Sequence, residues 1–433
     1  MSLTLLFRHH VPLAAAVVSA AALLAAGVPA TAHAQEEITV DTTSDVVDFG
    51  GEQAVADLPG PDGRTSLHEA VIAATNTNGP DMIGFAIPTS APGFDGDEFT
   101  IRHAPSSEAE QLTLGDDATT IDATTQPGGY PITVLGSEQT KASGLDGLVI
   151  KSSGNTVKGL GWHLYSRGIF VAGGSDNLIT DVTVRDSFEG VEISAYGRPS
   201  SADNALTDST IAGNDSTAVD IWRSQGSAVV GNTITDNGGK GVVIHDTPNV
   251  TVSDNLISGN AIGIRVWRFD SSGNATGNTI TNNRRGGVVV GVAGFTISRN
   301  SIAGNSELGI NLLTARNDEF GVSRNHKGGY NYPEHLTAVD KGDTTVVEGR
   351  IRFYPEPQSV TIELFTNDVA DPSGHGEGQT FVGTVTPNDK GRFTATLPGG
   401  LAGQYVTATA TAEDGTTSEF SEAVLVEPAK KHR

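Results

Sequence analysis

Six side chains stand out for the chemistry they could do together: Glu192, Asp220, Trp222, His245, Arg265 and Trp267. In Ala218-Val-Asp-Ile-Trp222, strand alternation turns Val219 and Ile221 to one face and Asp220 and Trp222 to the other. Extended to neighbouring segments, the outward positions form two files. One reads Phe170, Glu192, Asp220, Val243, Arg265, Val289, Asn311, and beside it run Ala172, Ser194, Trp222, His245, Trp267, Gly291, Leu313. Glu192 and Asp220 would then be neighbours, within the range of carboxylate separations used for glycoside hydrolysis. Elimination from a uronate would instead need a base, His245 or Arg265, and a cation to neutralise the substrate's carboxylate. Trp222 and Trp267, with Arg223 and Arg268 beside them, offer ring faces and charge to an extended, hydroxyl-rich ligand, a polysaccharide or cell-surface glycan. The plainer reading of the same residues is a cation–π cluster that shields exposed strands, and neighbouring solvated acids would look alike in either case.

A repeat must hold those files in register. Ile211, Ile234, Ile257, Ile280 and Ile302 recur at steps of 23, 23, 23 and 22 residues. Asn214, Asn237, Asn260, Asn283 and Asn305 keep the same step, and so does a second file, Asn232, Asn255, Asn278 and Asn300. Gly168, Gly190, Ala218, Gly241, Gly263, Gly287 and Gly309 begin successive units, spaced by 22, 28, 23, 22, 24 and 22; the long step places a surface insertion at Tyr196 to Ala202. Periods of this length mean a solenoid, propeller or array. Gly, Asn and Thr at this density exclude helical repeats. Three apolar clusters per unit fit a three-sided coil, a parallel β-helix. Its Ile and Val files face inward, and its asparagines stand at the corners, where they tolerate left-handed backbone and bond to one another. The asparagines are read as scaffold, not as ligands.

The ends differ. Arg8, an apolar run from Leu13 to Ala26 and Ala32-His33-Ala34 read as an export signal over residues 1–34, with an uncleaved anchor as the alternative. No other run approaches the ~20 apolar residues of a membrane span, so a secreted or cell-surface protein, monomeric, is expected. Residues 35–120 read as an N-terminal cap and first strands, 121–330 as the β-helix, and 343–428 as a β-sandwich of immunoglobulin-like size after a linker at Gly328 to Pro333. The cap is a helix from Ser66 to Asn76: Ser66 and Glu69 form a capping box, and Leu67, Ala70, Val71 and Ala74 make one apolar stripe. The sandwich rests on six alternating runs, Thr344 to Phe353, Ser359 to Phe365, Thr380 to Val385, Arg392 to Leu397, Gln404 to Ala410 and Glu419 to Val426.

Charge narrows the partners. Without the export segment, 26 basic side chains face 51 acidic ones, a net of −25, which argues against nucleic acid. Between Asp215 and Val290 the balance is local and even: Arg223, Lys240, Arg265, Arg268, Arg284 and Arg285 against six acids, a belt an acidic glycan could approach. There is no cysteine, no calcium nonapeptide and no soft ligand beyond Met82, so neither metal nor cofactor is expected. Asp371 to Gly378 reads as a turn at least as well as a calcium loop.

Thr65-Ser-Leu-His-Glu-Ala70 resembles the CSLREA motif of secreted bacterial β-helix proteins, with Thr65 in place of its Cys and His68 in place of its Arg. Thr119-Thr-Ile-Asp-Ala-Thr-Thr-Gln-Pro-Gly128 and Asp371-Pro-Ser-Gly-His-Gly-Glu-Gly-Gln-Thr380 are similar to phrases of the same family. The resemblance implies an all-β chain, a right-handed, pectin-lyase-like parallel β-helix with a helical cap and a C-terminal immunoglobulin-like sandwich. It carries no catalytic residues over. The outward face leaves two functions open: binding of an extended carbohydrate, with or without its cleavage by a lyase or glycoside hydrolase, or a structural, adhesive surface protein whose coil is a spacer.

Overall fold

The computed structural model describes residues 35–428 apart from 50–51, 196, 198–200, 269, 314–324, 326–330 and 353–358. The export segment, most of the insertion at Tyr196 to Ala202 and much of the linker at Gly328 to Pro333 lie outside the described residues.

Three parallel sheets of ten, nine and nine strands wind into a right-handed β-helix. Each strand pairs with its counterpart one coil on. The inward file Ile101, Val134, Trp162, Val184, Ile211, Ile234, Ile257, Ile280, Ile302 runs through nine coils without a slip. A one-residue slip would turn these side chains to solvent, and that penalty fixes the register. Trp162, the third tryptophan, belongs to this core and is fully buried. Ala218 leads one coil, but at others the leading glycine is sterically required. A Cβ on Gly241 would lie 2.7 Å from Ile257 Cγ2 and 2.6 Å from the Gly263 carbonyl, and Gly263 repeats the conflict with Ile280 and Gly287.

The asparagine files are hydrogen-bonded ladders. Asn237 Oδ1 accepts from the Asn214 N–H at 3.0 Å and from its Nδ2 at 2.9 Å, and Asn260 does the same for Asn237. A further run, Asn155, Asn177 and Asn204, extends the pattern toward the N-terminus. The left-handed corner geometry expected of these asparagines belongs to the residue before them: Asp236, Asp254, Gly259 and Gly277 have φ of 57°, 57°, 69° and 69°. The reason is division of labour. The asparagine must aim its amide along the coil axis, so its neighbour takes the turn.

The first ladder begins at Glu36–Val40, paired with Asp81–Phe85, so coils start ahead of residue 121. Between these strands lies the cap helix, Leu67–Asn76, with the Ser66–Glu69 capping box in place. Its buried Leu67, Ala70, Val71 and Ala74 join the coil core and cover its open end.

The sandwich has two four-stranded sheets, antiparallel except where Val339 pairs with Glu427, and begins at Glu334–Asp340, a strand the sequence reading missed. Val347, Ile362, Leu364 and Val406 form its centre. It is not a separate body on a tether: Phe365 and Phe420 enter the coil core. Three of its carboxylates finish the last coil. Glu363 accepts from Ser298 Oγ and the Arg299 N–H, Glu377 from the Asn305 N–H and Nδ2, and Glu419 from the Leu312 N–H. The expected strand from Glu419 to Val426 is mostly this plug, with only Val424–Leu425 in a ladder. An open solenoid end needs acceptors for its N–H groups more than it needs another strand.

Candidate functional site

The first outward file is paired throughout and the second from Ala172 to Trp267, with Gly291 and Leu313 beyond the paired strands. Phe170, Glu192, Asp220, Val243, Arg265, Val289 and Asn311 pair coil by coil, and so do Ala172, Ser194, Trp222, His245 and Trp267. The strands Glu189–Ser194, Val219–Trp222, Lys240–His245 and Ile262–Trp267 carry them on one sheet.

At its centre Trp222, His245 and Trp267 stack. Ring centroids are 5.9 Å apart at 7° for the first pair and 5.8 Å at 19° for the second. Near-parallel planes at that spacing are offset, which leaves part of each indole face uncovered. Arginines flank the stack. The guanidinium of Arg223 lies 5.0 Å from the Trp222 ring centre, and those of Arg268 and Arg265 lie 4.5 and 5.5 Å from Trp267. These are the cation–π contacts of the plainer reading. Arg223, Asp246 and Arg268 turn the corner on successive coils with φ of 52°, 50° and 73°. A glycine would adopt that backbone with less strain. Asp246 accepts from Trp222 Nε1 at 3.4 Å and lies 3.7 Å from Arg268. Among the described residues Arg223 and Arg265 make no ion pair, and Trp267 Nε1 has no partner.

The acids do not form a free pair. Asp220 Oδ1 lies 2.8 Å from His245 Nε2, so that nitrogen donates to the carboxylate. Nδ1 is buried and without a partner among the described residues, so it does not present a base to a ligand on the surface. Glu192 accepts from Arg167 Nη1 at 2.7 Å, while the same guanidinium grips Asp146 through Nε at 2.8 Å and Nη2 at 2.7 Å. Burial pushes the Asp146 carboxyl up despite that grip. Sequence reasoning missed Arg167 and Asp146, although they stand at the same register position on neighbouring coils; only Glu192 lies out of phase with Arg167.

It also missed Glu189. Burial, and then the charges of Asp220 and Glu192, push its carboxyl up to about 7. The signal was present, since Glu189 stands opposite Arg167 in the ladder. Arg284, counted in the neutral belt, is committed elsewhere: it donates to the carbonyls of Asn237, Gly238 and Gly259. Apart from this face, the cap gathers Asp45, His68 and His103, whose ligand atoms lie within 4.8 Å of one another.

A family model described as "Right handed beta helix region" matches residues 146–302. No curated protein matches the sequence. Solved structures that resemble it include a mannuronan C-5 epimerase A-module from Azotobacter vinelandii, 15% identical over 57% of this chain and 67% of that one, TM-score 0.39. An alginate lyase from a Paenibacillus species is 13% identical over 62% of this chain and 97% of its own, also at 0.39. A mutant tailspike protein of an E. coli bacteriophage, in complex with a hexasaccharide, is 11% identical over 87% and 86%, at 0.33. Likenesses this loose carry no argument about activity.

Proposed function

We propose that the outward face binds an extended, anionic polysaccharide, as a secreted or cell-surface protein. One observation carries the reading: the offset Trp222–His245–Trp267 stack is edged by Arg223, Arg265 and Arg268, with Asp246 beside Trp222 and Arg268 and Asp220 taken up by His245. Three cations beside two carboxylates, Asp246 and the His245-bound Asp220, in a chain of formal net charge −24, make a local site for a repeating acid. Uncovered indole surface would meet the apolar faces of sugar rings, and the guanidiniums would meet carboxylates or sulfates. Asp220 and His245 hold each other and position the stack, so their role is orientation and not proton transfer.

Binding to an array of acidic and neutral glycans tests this. The native protein should retain acidic glycans, less so as salt rises. Trp222→Ala/Trp267→Ala should weaken that binding about 10- to 100-fold, from the roughly 0.5–1.5 kcal/mol that each aromatic contact contributes. Undiminished binding by the double variant would remove the proposal. No binding by the native protein would favour a structural or adhesive surface role.

A hydrolytic reading has one observation in its favour, the Glu189 carboxyl at about 7 beside Asp220 and Glu192, a protonation state suited to a general acid. Reducing ends released from a bound glycan by native protein but not by Glu189→Gln would establish it.

A further inference from the structure

The N-terminal cap contains a cluster that the glycan-binding face does not use. Asp45 follows the first strand, His68 lies in the first turn of the cap helix, and His103 directly follows Phe99–Arg102. One ligand atom from each lies within 4.8 Å of the other two. Asp45 Oδ2 is 2.6 Å from His103 Nδ1, whereas Oδ1 is 4.0 Å from His68 Nδ1. The longer separation is beyond a hydrogen bond. It suits two ligands of one ion, because metal bonds of about 2.0–2.2 Å to imidazole nitrogen and carboxylate oxygen place ligand atoms roughly 3–4 Å apart; the 2.6 Å Asp45–His103 contact is a hydrogen bond that must open when an ion displaces its proton.

A purely hydrogen-bonded triad leaves its polar atoms unsatisfied. Asp45 Oδ1 and His103 Nε2 are buried with no partner among the described residues, and His103 is only 1% exposed. Buried polar groups are nearly always paired, so an orphan on each of these two side chains points to a missing neighbour. The imidazoles meet edge to face, with centroids 5.2 Å apart at 82°, so they do not stack against each other and close the gap. Tyr165 Oη donates to the His103 carbonyl at 2.7 Å and fixes that segment. The exposed Glu110 carboxylate acts electrostatically on both imidazoles, which adds negative charge where a cation would sit.

We infer that Asp45, His68 and His103 form a binding site for a divalent transition ion of the zinc class, which staples the cap helix to the first coils. Two imidazoles and one carboxylate suit Zn²⁺, Co²⁺ or Ni²⁺ and not Ca²⁺ or Mg²⁺, which take oxygen. The fourth position falls to water. His68 is also where this chain departs from the CSLREA pattern, and the arginine that the pattern has there cannot ligate a metal. The expectation of no metal rested on the absence of cysteine, of calcium nonapeptides and of soft ligands; here the ligands are imidazoles and a carboxylate from segments 23 and 35 residues apart.

The test uses the untagged, chelator-stripped whole protein at pH 7.5, titrated with CoCl₂ and then ZnSO₄. One equivalent of Co²⁺ should give a visible absorption band that Zn²⁺ bleaches, and one equivalent of Zn²⁺ should raise the melting temperature. His68→Gln, at a partly exposed position, should keep the native circular dichroism and bind Co²⁺ about 100-fold more weakly or worse. Its melting temperature should be insensitive to Zn²⁺. If His103→Gln fails to fold, His68→Gln alone decides. Absence of the band at one equivalent, or an undiminished Zn²⁺ response in His68→Gln, would overturn the site. Neither outcome depends on glycan binding.

Discussion

Replacing Asn260 by alanine isolates what the asparagine ladder contributes. Asn260 is completely buried. Its Oδ1 accepts from the Asn237 N–H at 3.1 Å and from Asn237 Nδ2 at 2.9 Å. Its Nδ2 donates to the carbonyls of Ile234 at 3.0 Å and Ser258 at 3.1 Å, and to Asn283 Oδ1 at 3.4 Å. Asn237 Nδ2 keeps two other acceptors after the change, Ile211 and Thr235, but the Asn237 N–H loses its acceptor. A buried donor left unpaired costs about 1–3 kcal/mol, and each further bond lost costs roughly 0.5–1.5 kcal/mol net. The sum is on the order of 3 kcal/mol. Urea denaturation should show that loss, and hydrogen exchange should show the Asn237 amide opening roughly 100-fold more readily. Asn260→Asp keeps the acceptor but sets carboxylate oxygen against the Ile234 and Ser258 carbonyls, so at neutral pH it should destabilise at least as much and recover as the pH falls. Glycan binding should be unchanged in both. A loss below about 0.5 kcal/mol in Asn260→Ala would refute the ladder as a source of stability.

Three other outcomes follow from the packing. Burial pushes Asp81, Glu189 and Glu377 up to about 7, so each binds a proton in the folded state that the unfolded state releases near its ordinary value. Their contribution is fully present below about pH 4 and is lost as pH rises through 7; melting temperature should fall between pH 5 and 8, less steeply in Glu377→Gln. Arg167→Met leaves the buried Asp146 carboxylate unpaired and should cost about 3–5 kcal/mol in denaturant, with Asp146→Leu/Arg167→Met recovering much of it. A chain ending at residue 313 exposes the edge that Glu363, Glu377 and Glu419 finish, together with Phe295 and Ile302, and should sediment as multimers where the whole chain does not.

Much of the scaffold was legible because its contacts repeat. Ile234 meets Ile257, and Trp222 meets His245, at the period itself, so a file written in the sequence is a file in space. The capping box at Ser66 was equally local. Alternation along each strand then placed the aromatic and charged residues on one outward face before any coordinate was known.

Only the tertiary structure decided how those groups are occupied. Glu192 and Asp220 are adjacent as their positions require, yet Arg167 holds one and His245 the other, and that depends on rotamers. The sandwich plug and the Asp45–His68–His103 cluster join segments that share no period, through turns whose path the sequence does not encode locally. Repetition determines register because each coil pays the same penalty for a slip. Contacts made once have no such redundancy, and they appear only when the chain is closed in three dimensions.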